Sequence, residues 1–124
     1  MIRSALIKQT SNNDIYISAQ KSMTVRCYIY SVAKRAKITA LVDLGATENF
    51  INLTYAKWLR LPIKKLPNPQ KLFNVNGMEN KAGELLFYMD LQVQSEGQST
   101  TLRFFLSDLG EHKAILGYSW FAAV

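Results

Sequence analysis

The sequence is poor in the residues that build the commonest catalytic and metal sites. It has one cysteine, Cys27, and one histidine, His112. One of each cannot supply a zinc site of the usual His/Cys kind, and no metal or cofactor is expected. A lone cysteine cannot close an internal disulfide, which fits an intracellular, cytoplasmic, reducing setting. In Val25-Arg26-Cys27-Tyr28-Ile29-Tyr30 it reads more simply as a small strand residue than as a reactive thiol. Neither common glycine-rich phosphate loop is present. A triad drawn from Ser107, Asp108 and His112 would crowd three roles into one turn, so His112 reads as a solvated turn residue. No stretch approaches about 18 uninterrupted apolar residues, and Met1–Lys8 lacks an apolar core of signal-peptide length. No membrane partner is expected.

What is present is ordinary in amount and uneven in placement. Apolar residues make up 48% of the 124 positions, enough for one hydrophobic core and too many for a disordered tail. The net charge of +6 divides sharply. Residues 1–65 carry eleven Lys/Arg and three Asp/Glu, a difference of +8; residues 66–124 carry four and six, a difference of −2. Lys34, Arg35 and Lys37 form one basic cluster, and Lys57, Arg60, Lys64 and Lys65 another. Such clusters attract phosphate. Here they mark a turn and a helix end without interleaved aromatic platforms, so a solvated surface is the better reading and nucleic acid is not expected as a partner.

Residues 1–22 read as a polar, partly flexible leader in which Ile15-Tyr16-Ile17 could form one short strand, and residues 23–124 as a single domain. Strands are expected over 23–30 and 37–42, separated by a basic turn at 31–36. Asn52 is placed to cap a helix over 53–60, with basic residues near its end. Pro62, Pro67 and Pro69 then imply an extended connector. A strand over 71–75 leads into Asn76-Gly77, the strongest short hairpin signal in the chain. Strands over 82–94, 99–107 and 113–116 follow, with turns at 95–98 and 108–111, and residues 117–121 begin a helix.

One carboxylate stands apart. Asp43 ends the apolar run Ala40-Leu41-Val42 and opens the turn Leu44-Gly45-Ala46-Thr47. A lone Asp there can be a simple turn former, yet a carboxylate beside so apolar a strand is costly to ionise without a partner or a functional setting. Asp108 also precedes a Gly-containing turn, but no buried strand leads into it.

The run Leu41-Val42-Asp43-Leu44-Gly45-Ala46, continued by Thr47-Glu48-Asn49-Phe50-Ile51, resembles the retropepsin signature, particularly that of proteases from gypsy-type LTR retrotransposon polyproteins. Ile115-Leu116-Gly117 is similar to the family's downstream apolar-apolar-Gly element, which supports the catalytic loop. Ile115 to Phe121 resembles the transposon form, which commonly has Pro where Ser119 stands. The resemblance covers residues 23–124 and implies a mainly β, closed barrel-like monomer with one or two short helices. It implies an aspartic endopeptidase that processes its own polyprotein, with Asp43 as the catalytic residue contributed by each chain of a homodimer. Two carboxyls sharing a proton would activate water, without a covalent intermediate. Val75, Asn76, Gly77 and Met78 fall where the family places its flap over an extended peptide substrate. Virus-like particles are a further setting the resemblance implies. The chain ends at Val124, soon after the last expected helix begins, as a piece excised from a longer polyprotein would.

One position departs from the family. Leu44 stands where the family has Ser or Thr, whose hydroxyl hydrogen-bonds across the dimer axis. Leucine has neither donor nor acceptor, so a second expectation stands beside the enzyme: a catalytically impaired peptide-binding or dimerisation module with the same fold.

Overall fold

In-out alternation of apolar residues sets the register of the barrel strands. In β2 (Met23–Tyr30), Cys27 and Ile29 are buried, and in β3 (Arg35–Val42), Ile38, Ala40 and Val42 are buried. The two pair antiparallel from Met23↔Val42 to Tyr30↔Arg35, so their buried sets share one face. Arg35 and Lys37, expected in a turn or at a strand's edge, thus lie on β3. The computed structural model describes residues 15–17, 23–31, 34–43, 45–60, 62–74 and 79–123.

The remaining elements are β1 (Ile15–Ile17), β4 (Asn49–Asn52), α1 (Leu53–Leu59), β5 (Lys64–Asn74), β6 (Glu79–Ser95), β7 (Gln98–Ser107), β8 (Ala114–Leu116) and α2 (Tyr118–Ala123). The strand order is β1-β5-β6-β2-β3-β8-β4-β7, and a β6–β7 pairing joins the last strand back to the third. Six strands therefore close into a barrel, and closure leaves these six without an open sheet edge. Strands β5 and β1 extend outward from β6. Most neighbours are antiparallel, but β3–β8 and β4–β7 in the barrel and β1–β5 outside it are parallel.

The barrel wall is apolar on both sides. Ala40, Ile51, Phe104 and Leu116 join one buried cluster, with Cys27, Ile29, Met89 and Leu91. Their neighbours Leu41, Phe50, Phe105 and Ile115 join a second, with Ile15, Ala46, Leu66, Leu72 and Leu85. Adjacent residues point to opposite faces of a pleated strand, so the first cluster fills the barrel and the second lies between its wall and the β1–β5 layer.

Two expectations need adjustment. The proline-bearing connector is part of strand β5, which pairs with β6 at Lys64 and Lys65 and again from Gln70. Pro67 and Pro69 fall within the register shift between those points, where a residue without an N–H costs no ladder bond. Strand β4 is an addition: Asn49-Phe50-Ile51-Asn52 is buried at every position, so it shows no alternation. The helix behaves as its sequence indicates. Asn52 Oδ1 accepts from the Thr54 N–H at 3.0 Å, and α1 ends at Arg60 in the left-handed conformation (φ 59°). The β6–β7 hairpin turns through Glu96 and Gly97, both at positive φ (51° and 83°), as the tight two-residue turns of twisted ribbons require.

Candidate active site

Asp43 leaves the end of β3 and is held there by backbone. Its N–H donates to the Leu116 carbonyl at 2.9 Å and its carbonyl accepts from the Ala46 N–H at 3.0 Å. Its Oδ1 accepts from the Gly45 N–H at 2.9 Å, and the residue is only 3% exposed. Asp108 makes the same local turn, its Oδ1 accepting from the Gly110 N–H at 3.0 Å, but it is exposed. The turn is common to both Asp-Leu-Gly segments. Contrary to the expectation from sequence, a buried strand leads into Asp108 as well, since β7 is buried from Phe104 to Ser107. What is particular to Asp43 is the burial of the residue itself. Continuing the alternation of β3 carries Asp43 to the face of Leu41, where the second apolar cluster lies.

Ile115, Leu116 and Gly117 come up beneath this loop. Leu41 pairs with Ile115 and Val42 with Leu116, which brings Gly117 against residues 46–48. A Cβ on Gly117 would fall on the Glu48 carbonyl oxygen and lie 2.6 Å from the Ala46 carbonyl oxygen. The Tyr118 N–H donates to that Ala46 oxygen at 2.8 Å. Gly45 and Ala46 are buried, and Thr47 is half-buried. Leu44 and the hairpin residues Val75, Asn76, Gly77 and Met78 lie outside the described residues. The hairpin's arms are β5 and β6, which pair as far as Phe73↔Glu79.

Three residues that join the two motifs were given no role from the sequence, although Ser119 was noted as a departure from the common Pro. Asn49 is fully buried; its Oδ1 accepts from the Gly117 N–H at 3.0 Å and its Nδ2 donates to the Arg103 carbonyl at 3.4 Å. One amide thus ties β4 to β7 and to the β8–α2 junction. Its signal was a polar residue opening an apolar run, where the amide must find partners. Glu48 is half-buried, and burial raises its carboxyl above the ordinary 4.5, against the hydrogen bond from Ser119 and the nearby charge of Arg103, which lower it. Ser119, which departs from the common Pro of the transposon form, therefore has a partner that Pro could not serve.

A carboxyl raised in the folded state stabilises the fold most while it is protonated, so this contribution is lost as pH rises through the folded-state value. Thermal unfolding of wild type and Glu48→Gln should therefore agree at low pH. Above pH 4.5 the wild type should lose stability relative to Glu48→Gln. Parallel melting curves across this range would show that Glu48 does not carry the dependence.

Burial also pushes the Cys27 thiol up to about 11, which removes thiolate character at neutral pH. Among the described residues no group of three His, Cys, Asp or Glu side chains could hold a metal ion. None of their helices is long and apolar enough to cross a membrane.

A closed six-stranded barrel, an Asp-Leu-Gly-Ala loop at a strand end and a Gly-bearing strand packed beneath it define a retropepsin-like aspartic protease domain. A family model described as the PEG10/RTL1 protease domain matches residues 39–123. The chain belongs to this family, which is retrotransposon-derived and gypsy-like. Its fold is also similar to that of EIAV protease complexed with the inhibitor HBY-793, with a TM-score of 0.60, 15% identity and 92% of each chain covered. A search of curated proteins finds no match.

Proposed function

We propose that the chain is an aspartic endopeptidase that acts as a homodimer on a retrotransposon polyprotein, in the reducing cytoplasm or within virus-like particles. The observation that carries this reading is Asp43 itself: a buried carboxylate on a glycine turn, seated on β8 and oriented by a backbone N–H. One chain supplies one such group, so a two-carboxylate site needs a second copy related by a two-fold axis. Two facing carboxyls share one proton; the charged one takes a proton from water as water attacks the peptide carbonyl, and the protonated one donates to the developing oxyanion or leaving amine. Val75 to Met78 would cover the peptide as a flap. Apolar surface for a second copy lies close by: Tyr118 and Phe121 are both 52% exposed, with ring centroids 6.2 Å apart, immediately after Gly117. The lone buried thiol Cys27 supports the reducing setting.

Leu44 favours the second reading, a paired but catalytically impaired module. If the missing hydroxyl limits the protein, Leu44→Ser or Leu44→Thr strengthens self-association and raises peptidase activity together. A net hydrogen bond contributes about 0.5–1.5 kcal/mol and would form twice per dimer, roughly ten- to a hundred-fold in dissociation constant. Sedimentation equilibrium, with cleavage of a peptide library at mildly acidic pH, measures both. Tighter dimers without cleavage select the impaired module; a chain monomeric throughout and inactive defeats both readings.

A further inference from the structure

The short strand β1 covers the apolar face to which the Asp43 loop belongs. It is the outermost strand, paired in parallel with β5 through Ile15↔Leu72, Tyr16↔Phe73 and Ile17↔Asn74. These three β5 residues form one arm of the hairpin that ends at the expected flap. Ile15 is 6% exposed and belongs to the apolar cluster that contains Leu41, Ala46, Phe50 and Ile115. Leu41 and Ala46 flank Asp43, and Ile115 pairs with Leu41 beneath the loop. An extended peptide that adds to a sheet edge by main-chain bonds, and drops a side chain into a pocket beside the catalytic group, binds in this way.

We propose that Ile15–Ile17 fills the peptide cleft of its own chain, as an extended segment that incoming substrate must displace. The proposal rests on the protease reading and adds two things to it. The first is substrate character: the apolar cluster that holds Leu41, Ala46, Phe50, Leu72 and Ile115 accommodates a β-branched aliphatic side chain, that of Ile15. The second is restraint. Asp43 is 3% exposed in the single chain, whereas attack on a peptide requires water and a second carboxylate at that group. Release of β1 removes one layer over the second cluster and opens the face to which Asp43 belongs. The contact is small, three paired residues, so it is displaceable as the barrel strands are not. Its strength comes from tethering, since a segment on a short link meets its site at an effective concentration in the millimolar range.

The test is uptake of a fluorescent peptide of residues 12–19, added to the full chain and to its Ile15→Asp variant and followed by anisotropy. The expected result is that Ile15→Asp binds the peptide about ten-fold or more tightly than the unaltered chain. The same peptide carrying Ile15→Asp binds neither, and the variant unfolds as cooperatively as wild type. Equal affinities, or a variant that fails to fold, would make β1 a structural strand and overturn the proposal. So would peptide binding by the unaltered chain that tightens on dilution, because the segment would then come from a second copy. The readout is binding, so a chain that takes up the peptide and cleaves nothing counts against the enzymatic reading alone.

Discussion

Asp43→Asn is expected to lower peptide hydrolysis by at least about 10²–10⁴-fold in kcat, with little change in KM. Asparagine keeps an oxygen at the place of Oδ1, so the bond from the Gly45 N–H at 2.9 Å survives. The loop around it is anchored by main-chain groups of Leu116 and Ala46, which the substitution does not touch. The variant should therefore fold, dimerise and bind peptide, and fail only at proton transfer. Asp108→Asn is the matched control, because Asp108 makes the same turn at an exposed position, and it should leave hydrolysis unchanged. Cleavage of a peptide library by both variants at mildly acidic pH measures this. Activity that persists in Asp43→Asn would remove Asp43 from the chemistry.

Gly117→Ala should be the most damaging small substitution for the fold. The added methyl collides with the Glu48 carbonyl oxygen and comes within 2.6 Å of the Ala46 carbonyl oxygen. Both obstacles are backbone, so no side-chain rotation relieves them. Either the Asp43 loop or the β8–α2 junction must move. Movement puts at risk the bond from the Gly117 N–H to Asn49 Oδ1 and that from the Tyr118 N–H to the Ala46 oxygen. Overpacking and loss of buried hydrogen bonds together amount to about 3–5 kcal/mol, a large part of a small domain's stability. Gly83→Ala tests the mechanism: Gly83 has φ +79° but nothing within 4 Å of an added Cβ, so only the backbone preference is lost, about 1 kcal/mol. Urea unfolding of both variants gives the comparison. Similar losses at the two positions would mean that the close approach at Gly117 is readily relaxed.

Much of this site was legible because its signals are local. An apolar strand ending in Asp, a glycine two residues on and Ile115-Leu116-Gly117 downstream are each short patterns with a physical meaning. The Asn52 cap and the alternation in β2 and β3 are local too. The Asn49 clamp was not legible, because an amide buried between two motifs is recognisable only once both are in contact. The Glu48–Ser119 pair failed for the same reason, spanning 71 positions of the chain. Strand β4 escaped because burial on both faces erases the alternation that identifies a strand. The proline segment misled in the other direction: proline forbids a ladder bond, not an extended backbone, and the shift in β5–β6 pairing accommodates it.

The sequence by itself determined that the chain is β-rich, and it marked Asp43 and Ile115-Leu116-Gly117 as the segments to look for together. These follow from composition, from the two-residue period of strands and from motif resemblance, all carried by neighbouring residues. Only the tertiary structure decided which of two Asp-Leu-Gly turns is buried, which glycine has no room for a Cβ and where Ile15 rests. Those depend on β3 lying parallel to β8 and β1 lying beside β5. Such pairings join residues far apart along the chain, and no local pattern encodes the distance between them.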